Sequence, residues 1–420
     1  MAGFQPFGIP FEFFLFAATL LGVALFHHRT FQVAITGLAS IVLYKIAFAG
    51  FHAGAGLTGL VGHLGAEWVV LANLFGLLMG FALLSRHFEE SNVPAKLPDY
   101  LPDDWRGAFL LLVIVFVLSS FLDNIAAALI GGTVAATVFR HKVHIGYIAA
   151  LVAASNAGGS GSVVGDTTTT MMWIDGVSPL DVLHAYVAAG VALVVCGIPA
   201  ALQQHAYSPI VPQGGHRLQV DWGRVGIVAT ILCAAVAVNV LTNVRFPGYS
   251  DCFPFLGAAV WVAILATAAW RRPDWSVLPA ALRGTTFLLS LVLAASMMPV
   301  EQLPAASWLT ALGLGFVSAV FDNIPLTKLA LEQGGYDWGV LAYAVGFGGS
   351  MIWFGSSAGV AITNLFPEAR SVGAWLRGGW HVALAYVMGF AAIMLVMGWH
   401  PYTPHKDVDG EPAVTTHPQE

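Results

Sequence analysis

The chain has 420 residues, of which 57% are hydrophobic and only 10% are charged. Soluble domains carry about 25% charged residues, so this composition indicates a polytopic membrane protein rather than a soluble enzyme. The net charge of −6 without a basic stripe excludes a typical nucleic-acid binder, and the spacing of Cys196, Cys233 and Cys252 fits neither a disulfide framework nor a zinc site.

Apolar segments of helical length predict membrane helices along almost the whole chain. In chain order they cover residues 11–26, 31–50, 66–85, 107–139, 144–174, 184–204, 225–242, 254–270, 284–298, 307–331, 339–363 and 379–399. The first is expected to be a true span, because no basic residue precedes it and no cleavage pattern follows it. Residues 400–420 are polar and proline-rich, which predicts a disordered tail.

Two of these segments, 107–139 and 307–331, are interrupted by an Asp-Asn dipeptide: Asp123-Asn124 and Asp322-Asn323. A carboxylate at membrane depth costs roughly 2.5–3.5 kcal/mol, so its repetition in matching contexts indicates an ion site. We expect each segment to be a re-entrant hairpin with the dipeptide at its tip. Alternatively, Asp-Asn only caps the helix that follows, although Ser or Thr would do so without burying a charge.

A glycine-rich interruption follows each hairpin, within segments 144–174 and 339–363. These interruptions predict broken helices whose exposed backbone groups face an ion, as in many transporters. The predicted backbone positions are Gly158, Gly159, Gly165, Gly348, Gly349 and Gly355, in two groups offset by 190 residues. Alternatively, each glycine-rich interruption is a flexible loop at the membrane surface and not a break within a buried helix.

Side chains at the two interruptions differ. Asp166 and the hydroxyl run that includes Thr168 lie in the first, and Ser356 stands at the position of Asp166 in the second. We therefore expect three carboxylates, Asp123, Asp166 and Asp322, near the membrane midplane as candidate Na⁺ ligands. A hard cation prefers such oxygen ligands, and a proton competes for the same oxygens.

Basic residues are distributed unevenly over the predicted loops. If both hairpins re-enter and the other ten segments cross, only Arg245 and Lys406 fall on one side. The opposite side collects Arg29, Arg86, Lys96, Arg106, Arg140, Lys142, Arg217, Arg224, Arg271, Arg272, Arg283, Arg370 and Arg377. Lys/Arg enrichment marks the cytoplasmic side, so a plasma-membrane protein with both termini extracytoplasmic is predicted.

The same count divides the chain into two repeats, 1–204 and 225–399, joined by a cytoplasmic linker at 205–224. Each repeat contains three spans, a hairpin, a broken helix and a final span. Five crossings per repeat is an odd number, so the second repeat is expected to be inverted. The expected fold is therefore an all-α integral membrane protein with two inverted repeats in one unit.

Three charged residues, Lys45, Glu67 and Lys328, lie within or beside apolar segments. Lys328, six residues after Asp322, could pair with an acidic partner, neutralise the empty site or extend to the membrane interface. Extension to the interface is the simplest expectation for all three.

The dipeptides and the string Asn156-Ala157-Gly158-Gly159 with Gly165-Asp166-Thr167-Thr168-Thr169-Thr170-Met171-Met172-Trp173 resemble the NhaD-type sodium/proton antiporters of the ion transporter superfamily. Asp322-Asn323-Ile324-Pro325-Leu326, Gly348-Gly349-Ser350 and Gly355-Ser356-Ser357-Ala358-Gly359 carry the resemblance in the second half. That superfamily also includes arsenite permeases and citrate and dicarboxylate carriers.

The resemblance implies inverted repeats and a cation site built from hairpin tips and unwound helix segments. Its ion-binding roles would fall on Asp123, Asn124, Asp166, Thr168, Asp322, Asn323 and Ser356. It also implies a homodimer that works by an elevator-like movement. Lys328 departs from the antiporter pattern.

Exchange of Na⁺ (or Li⁺) for H⁺, with no cofactor and no partner beyond ions and the lipid bilayer, is the leading hypothesis. A sodium-coupled carrier of an anion such as citrate, a dicarboxylate or arsenite is the alternative, although three carboxylates would repel an anion. An intramembrane hydrolase with Asp123 and Asp322 as its catalytic pair is a third hypothesis, but hydrolysis does not need a duplicated hairpin.

Overall fold

The computed structural model describes residues 4–26, 29–211, 219–246, 249 and 252–404. Every regular element in these ranges is helical. The first half of the chain contains α1 (Phe11–Leu25), α2 (Thr30–Tyr44), α3 (Gly56–Glu89), α4 (Val93–Lys96), α5 (Trp105–Ser119), α6 (Asn124–Val138), α7 (Ile145–Ser160), α8 (Thr167–Ile174), α9 (Pro179–Leu183) and α10 (Ala185–Tyr207). A π-helical turn, Lys45–Ala49, extends α2.

The second half contains α11 (Trp222–Arg245), α12 (Phe255–Thr267), α13 (Leu278–Ser296), α14 (Trp308–Ser318), α15 (Asn323–Gln333), α16 (Trp338–Gly348), α17 (Ser357–Leu365), α18 (Val372–Gly378) and α19 (Trp380–Val396). Short 3₁₀ turns connect several of these helices. Two isolated β-bridges, Phe51 with Gly54 and Tyr336 with Tyr402, complete the hydrogen-bonded elements.

Five helical stretches within the described ranges are long and apolar enough to cross a membrane. They are Thr30–Ala49, Gly56–Glu89, Pro179–Tyr207, Trp222–Thr242 and Trp275–Ser296. A sixth span results if α18 and α19, which are bent by 63° at their junction, are taken together. The chain is therefore an all-α, multi-pass membrane protein, as its composition predicts.

Helix α3 is longer than the sequence predicted. The apolar pattern predicts a span over residues 66–85. The helix instead begins at Gly56 and has 34 residues, a length of about 51 Å at 1.5 Å per residue. Glycines at the start of α3 pack closely instead of breaking it: a Cβ at Gly59 would lie 2.1 Å from the carbonyl oxygen of Gly54. As a result Glu67 lies inside a helix and not at a segment boundary.

The four predicted interruptions are breaks between helices. Segment 107–139 divides into α5 and α6, and segment 307–331 divides into α14 and α15. Segment 144–174 divides into α7 and α8, and segment 339–363 into α16 and α17. In each case, a polar residue begins the second helix as its N-cap, which supplies a partner for a backbone N–H group that a helix start leaves unpaired.

The helices pack in two groups. We call α1–α3 and α11–α13 the framework helices, which contact one another, and α5–α10 with α14–α19 the central helices. Among the central helices, α6 packs on α17 and α7 packs on α16, so the two halves of the chain interlock there. The groups meet where α13 contacts α15 and where α3 contacts α8.

Helices α7 and α16 lie at the centre. All eleven residues of α16, and all of α7 except its first, are buried. A helix that is apolar on all sides is expected in the core of a large protein. Each of these buried helices ends at a glycine-rich break, so both breaks lie deep in the molecule, not in a loop at its surface.

The predicted linker and tail fall partly outside the described residues. Residues 212–218 of the linker and 405–420 of the tail lie outside them. Residues before position 405 are held by the central helices: Trp338 Nε1 donates to the carbonyl oxygen of Tyr402 at 3.0 Å, and the Tyr402 hydroxyl bonds the Asp181 carboxylate at 2.6 Å.

Candidate ion-binding site

Asp123 and Asp322 each begin a helix in nearly the same conformation. Asp123 Oδ2 accepts a hydrogen bond from the backbone N–H of Ile125 at 3.1 Å, and Asp322 Oδ1 accepts one from Ile324 at 3.0 Å. Their backbone angles are φ −52°, ψ 140° and φ −54°, ψ 138°. Each carboxylate thus acts as a helix cap through one oxygen, which leaves its second oxygen for another partner.

The second oxygen of Asp322 is bonded by a residue that the sequence did not single out as a ligand. The hydroxyl of Ser357, the first residue of α17, donates to Asp322 Oδ2 at 3.0 Å. This bond connects the break between α14 and α15 to the break between α16 and α17. The only feature of the sequence that pointed to Ser357 as a partner is its position directly after Ser356 in the glycine-rich string.

Asp166 is 3% exposed and begins α8. Its Oδ1 accepts a hydrogen bond from the backbone N–H of Thr168 at 3.1 Å. Its Oδ2 and the Thr168 hydroxyl are both buried, and neither makes a well-formed hydrogen bond to another described residue, although the hydroxyl lies near the carboxylate. Buried polar atoms of this kind are normally met by water or an ion, so this pair is a candidate cation contact.

The rest of the threonine run has a structural role. The hydroxyl of Thr169 donates to the carbonyl oxygen of Ser162 at 2.6 Å, and that of Thr170 donates to Val163 at 2.8 Å. These bonds tie the start of α8 to the preceding loop. Thr169 and Thr170 are thus engaged with the backbone, whereas Thr167 and Thr168 remain candidate ligands of the hydroxyl run.

Ser356 takes the place of Asp166 in the second half. It begins α17 with φ −142°, ψ 154°, close to the φ −142°, ψ 143° of Asp166. Its hydroxyl accepts from the backbone N–H of Gly359 at 3.2 Å. The backbone of the two breaks is thus similar, while a hydroxyl replaces the carboxylate.

Asn156, which is fully buried on α7, links the two halves of the chain. Its Nδ2 donates to Ser350 Oγ at 2.9 Å and to Ser356 Oγ at 3.0 Å, and its Oδ1 accepts from Asn124 Nδ2 at 3.2 Å. From the sequence, Asn156 belongs to the string that carries the family resemblance, but it was not among the predicted ion-binding residues. Its signal was a polar amide in an otherwise apolar helix, two residues before the first glycine of the break.

Asn323 is the counterpart of Asn124 but lacks such a partner. Its side chain is 3% exposed, and its Nδ2 makes no hydrogen bond to another described residue. At the offset of 190 residues, the counterpart of Asn156 is Gly346, which offers no side chain to pair with it. The two halves therefore differ at the amide as well as at the carboxylate.

One cavity of about 280 Å³ collects site residues from both halves. Its polar lining comes from Asp123, Asn124, Asp166, Thr167, Asn323 and Ser357. Apolar side chains of the framework helices, such as Leu78, Phe81 and Leu288, form its opposite wall. A small polar cluster in an otherwise apolar, concave pocket is typical of a binding site.

Asp322 borders a neighbouring cavity of about 580 Å³. Ile125, Gly284 and Ser357 line both cavities, so the two adjoin. Within the described part of the chain, no three Asp, Glu, His or Cys side chains are grouped closely enough to hold a metal ion. Asp123 and Asp166 line the first cavity and Asp322 lines the adjoining one, so the convergence of the three carboxylates on one ion stays a prediction.

The predicted glycines allow the breaks to pack against neighbouring backbone. A Cβ at Gly158 would lie 2.0 Å from the carbonyl oxygen of Phe116, and one at Gly165 would lie 2.1 Å from that of Ser119. The second half repeats this pattern, with Gly348 and Gly355 against the carbonyl oxygens of Gly315 and Ala319 at 2.3 and 2.5 Å. Gly159 and Gly349 approach the residues that end their own breaks, Gly165 and Gly355 respectively.

The charged residues of the apolar segments are paired or buried and do not extend to an interface. Lys328 is 3% exposed and contacts Glu67 and Glu332, and Lys45 donates to the carbonyl oxygen of Met297 at 2.7 Å. The expectation of interfacial extension was wrong because folding brings acceptors to these ammonium groups in the interior.

The sequence profile of a family described as "Citrate transporter" matches residues 13–348. Among similar proteins, the "Sodium/proton antiporter 1" of Arabidopsis thaliana is 26% identical over 334 residues, which covers 68% of this chain and 55% of that protein. The "Sodium/proton antiporter 2" of the same plant is 26% identical over 321 residues, 66% of this chain and 74% of that protein.

The "Na(+)/H(+) antiporter NhaD" of Halomonas elongata is 24% identical over 360 residues, 73% of this chain and 72% of that protein. The match to the first plant protein spans little more than half of that protein's length. The family match covers both breaks of the first half, α14 and α15, and all of α16.

Proposed function

Because this chain belongs to the citrate transporter family, a family of membrane transporters and not of enzymes, we propose that it exchanges Na⁺ or Li⁺ for H⁺. The observation that carries this proposal is that Asp123 and Asp166 border the same cavity as the amides of Asn124 and Asn323. The three relatives named as sodium/proton antiporters support it.

The cavity suits a small cation because its polar atoms are mainly oxygens. Asp123 and Asp166 supply negative charge, and Asn124, Asn323 and Thr168 supply neutral oxygens nearby. A hard cation such as Na⁺ prefers such ligands. The unpartnered Asp166 Oδ2 is the oxygen with most to gain from a bound ion.

The same carboxylates can carry the counter-ion. In an apolar cavity, two neighbouring carboxylates without a bound cation repel each other, and a proton relieves that repulsion. Na⁺ and H⁺ then compete for Asp123 and Asp166, so that release of one permits binding of the other. No cofactor enters this cycle.

We also propose that the two halves are inverted repeats, with α5–α6 and α14–α15 as re-entrant hairpins. Support comes from the matching N-cap conformations of Asp123 and Asp322, and of Asp166 and Ser356. The close approach of Gly158 to the carbonyl oxygen of Phe116 is matched by that of Gly348 to the carbonyl oxygen of Gly315, each in the last turn before its break, and this adds to the support. The repeats would span 1–204 and 225–399.

The end of α3 that carries Arg86 and Glu89 is proposed to face the cytoplasm of a plasma membrane, with both chain termini on the other side. Ion pairs cluster there: Arg86 contacts Glu89, Glu90 and Asp274, and Arg224 contacts Glu90. An excess of arginine and lysine on one side supports this orientation. A homodimer is carried over from the family resemblance as part of the proposal.

A sodium-coupled anion carrier is the second candidate, and the family description "Citrate transporter" favours it. Two carboxylates in one apolar cavity oppose it, because an anion there would be repelled unless bound cations offset the charge. The two candidates differ in whether a cation alone drives proton movement.

The test uses inverted membrane vesicles with an internal pH probe. Addition of Na⁺ or Li⁺, but not K⁺, is expected to move protons, and Asp123→Asn and Asp166→Asn are expected to abolish this movement. Asp103→Asn is the matched control, because Asp103 is an exposed carboxylate outside both cavities. Silence with every cation, together with Na⁺-dependent uptake of labelled citrate, would establish the second candidate instead.

A further inference from the structure

Lys328 on α15 is an ammonium group buried among the packed helices. Only 3% of its side chain is exposed. Its Nζ lies 2.6 Å from Glu332 Oε1, one turn further along α15, and 3.1 Å from Glu67 Oε2 on α3. A buried charge is tolerated only with partners at such distances, so these contacts determine where α15 can lie.

The two contacts of Lys328 differ in what they connect. The bond to Glu332 lies within α15, whereas the bond to Glu67 joins a central helix to a framework helix. The negative field of Asp175, directly after α8, also acts on Lys328. Helix α8 belongs to the first half and α15 to the second, and α8 contacts both α15 and the framework helix α3. The two halves and the framework therefore meet at this junction.

Along α3 the junction lies in the N-terminal half of the helix, whereas the cavity lies in its C-terminal half; we call these sides of α3 the Glu67 end and the Glu89 end. Leu78, Phe81, Ser85 and Glu89 of α3 line the cavity, and the Glu89 side chain at its edge is 37% exposed. Glu67 is 22 residues before Glu89 on the same helix, a distance of about 33 Å. The Glu67 and Lys328 side chains are only 13% and 3% exposed, so their contact is largely shielded, while the Glu332 side chain beside it is 29% exposed.

We propose that the Glu67–Lys328 ion pair is a gate that closes the carboxylate cavity towards the Glu67 end of α3. The pair is intact while the cavity is reached from the Glu89 end, and it separates when α15 moves off α3 to open the other end. Lys328 stays neutralised by Glu332 throughout, because that partner moves with it. The proposal rests on the proposed transport function, which requires access from both faces in turn.

Two isosteric variants separate a gate from a simple brace. Glu67→Gln removes the bond between helices but leaves Lys328 paired with Glu332, and Glu332→Gln removes the bond within α15 but leaves the bond to Glu67. Both remove one negative charge, so they are matched in charge and in size. Only Glu67→Gln should loosen α15 from α3.

The readout is chemical access to Ile125→Cys, a position that lines both cavities, after the exposed Cys233 and Cys252 are replaced by serine. A membrane-impermeant thiol reagent is added to one face of sealed vesicles at a time. In the parent, the cysteine should react from the Glu89 face. Glu67→Gln should raise its rate of reaction from the opposite face about tenfold, whereas Glu332→Gln should leave it unchanged.

Equal rates in all three proteins, or an equal rise in both variants, would overturn the gate. If Glu67→Gln does not fold, Glu67→Asp, which keeps the charge but shortens the reach, should show a smaller rise from the same face, and its absence would also overturn the proposal. Labelling does not require ion transport, so vesicles in which no cation moves protons would refute the proposed function and leave the gate to be judged by its own result.

Discussion

Asn156 provides the sharpest test of the site, because its buried amide connects the start of α6 in the first half to the start of α17 in the second. Replacing it with alanine removes three hydrogen bonds, to Asn124, Ser350 and Ser356. At about 1 kcal/mol for each bond, the free energy of unfolding should fall by roughly 2–4 kcal/mol. The estimate includes the cost of leaving the former partners buried without a bond.

The effect on ion binding should exceed what lost stability explains. Without Asn156, the amide of Asn124 loses the bond that holds it at the cavity wall, and the hydroxyl of Ser356 loses one of its two bonds. The Na⁺ concentration for half-maximal proton movement should therefore rise about tenfold, which corresponds to about 1.4 kcal/mol of binding free energy. The assay is cation-induced proton movement in vesicles, at several Na⁺ concentrations.

Asn73→Ala is the matched control. Asn73 is also buried, and its Oδ1 accepts a hydrogen bond from the backbone N–H of Gly257 at 3.0 Å, between framework helices α3 and α12. This variant should lose about 1 kcal/mol of stability and keep the parental Na⁺ dependence. A folded Asn156→Ala protein with an unchanged Na⁺ dependence would refute the reasoning, as would an equal shift in both variants.

Two further predictions concern packing and charge. Gly165→Ala places a methyl group 2.1 Å from a carbonyl oxygen at the end of α5, which should lower the free energy of unfolding by about 1–3 kcal/mol. Gly190→Ala in α10 places a methyl group that meets nothing within 4 Å, and it should raise the free energy of unfolding by about 0.5–1 kcal/mol. Melting temperatures in detergent check both variants. A hydrogen bond from Arg271 lowers the pKa of Asp221 below 3.8, so its contribution to stability is present at higher pH and is lost as the pH falls through that lowered value. The drop in melting temperature from about pH 5 to about pH 3 should therefore be smaller for Asp221→Asn than for the parent, and an equal drop would count against the ion pair.

The sequence predicted the position of the helix breaks well, since charge and glycine in an apolar segment are strong local signals. The breaks before Asn124 and Asn323 follow the Asp residues named from the sequence, and those before Thr167 and Ser357 follow Asp166 and Ser356. These elements depend on local chemistry: an N-cap side chain, or glycines where another backbone approaches.

Contacts between distant segments could not be predicted in the same way. The partner of Lys328 on α3 is 261 residues away in the chain, and Asn156 bonds Ser356 across 200 residues. Such pairs depend on how helices pack, which hydrophobic periodicity in one segment does not reveal. The division of the three carboxylates between two adjoining cavities depends on the same packing.

The difference between the two halves follows from the space at their meeting point. Gly346 is the counterpart of Asn156, and a Cβ there would already lie 3.2 Å from the Cβ of Ser160 and 3.8 Å from Asp166 Oδ2. A second asparagine would fill the space beside that carboxylate oxygen, so only one half can supply the central amide. Breaks of similar backbone conformation thus carry unlike side chains where they meet, and the half with the amide also supplies Asp166. In the proposed exchange, a cation held between Asp123 and Asp166 would therefore lie nearer to the first half, and Asp322 would face it from the adjoining cavity.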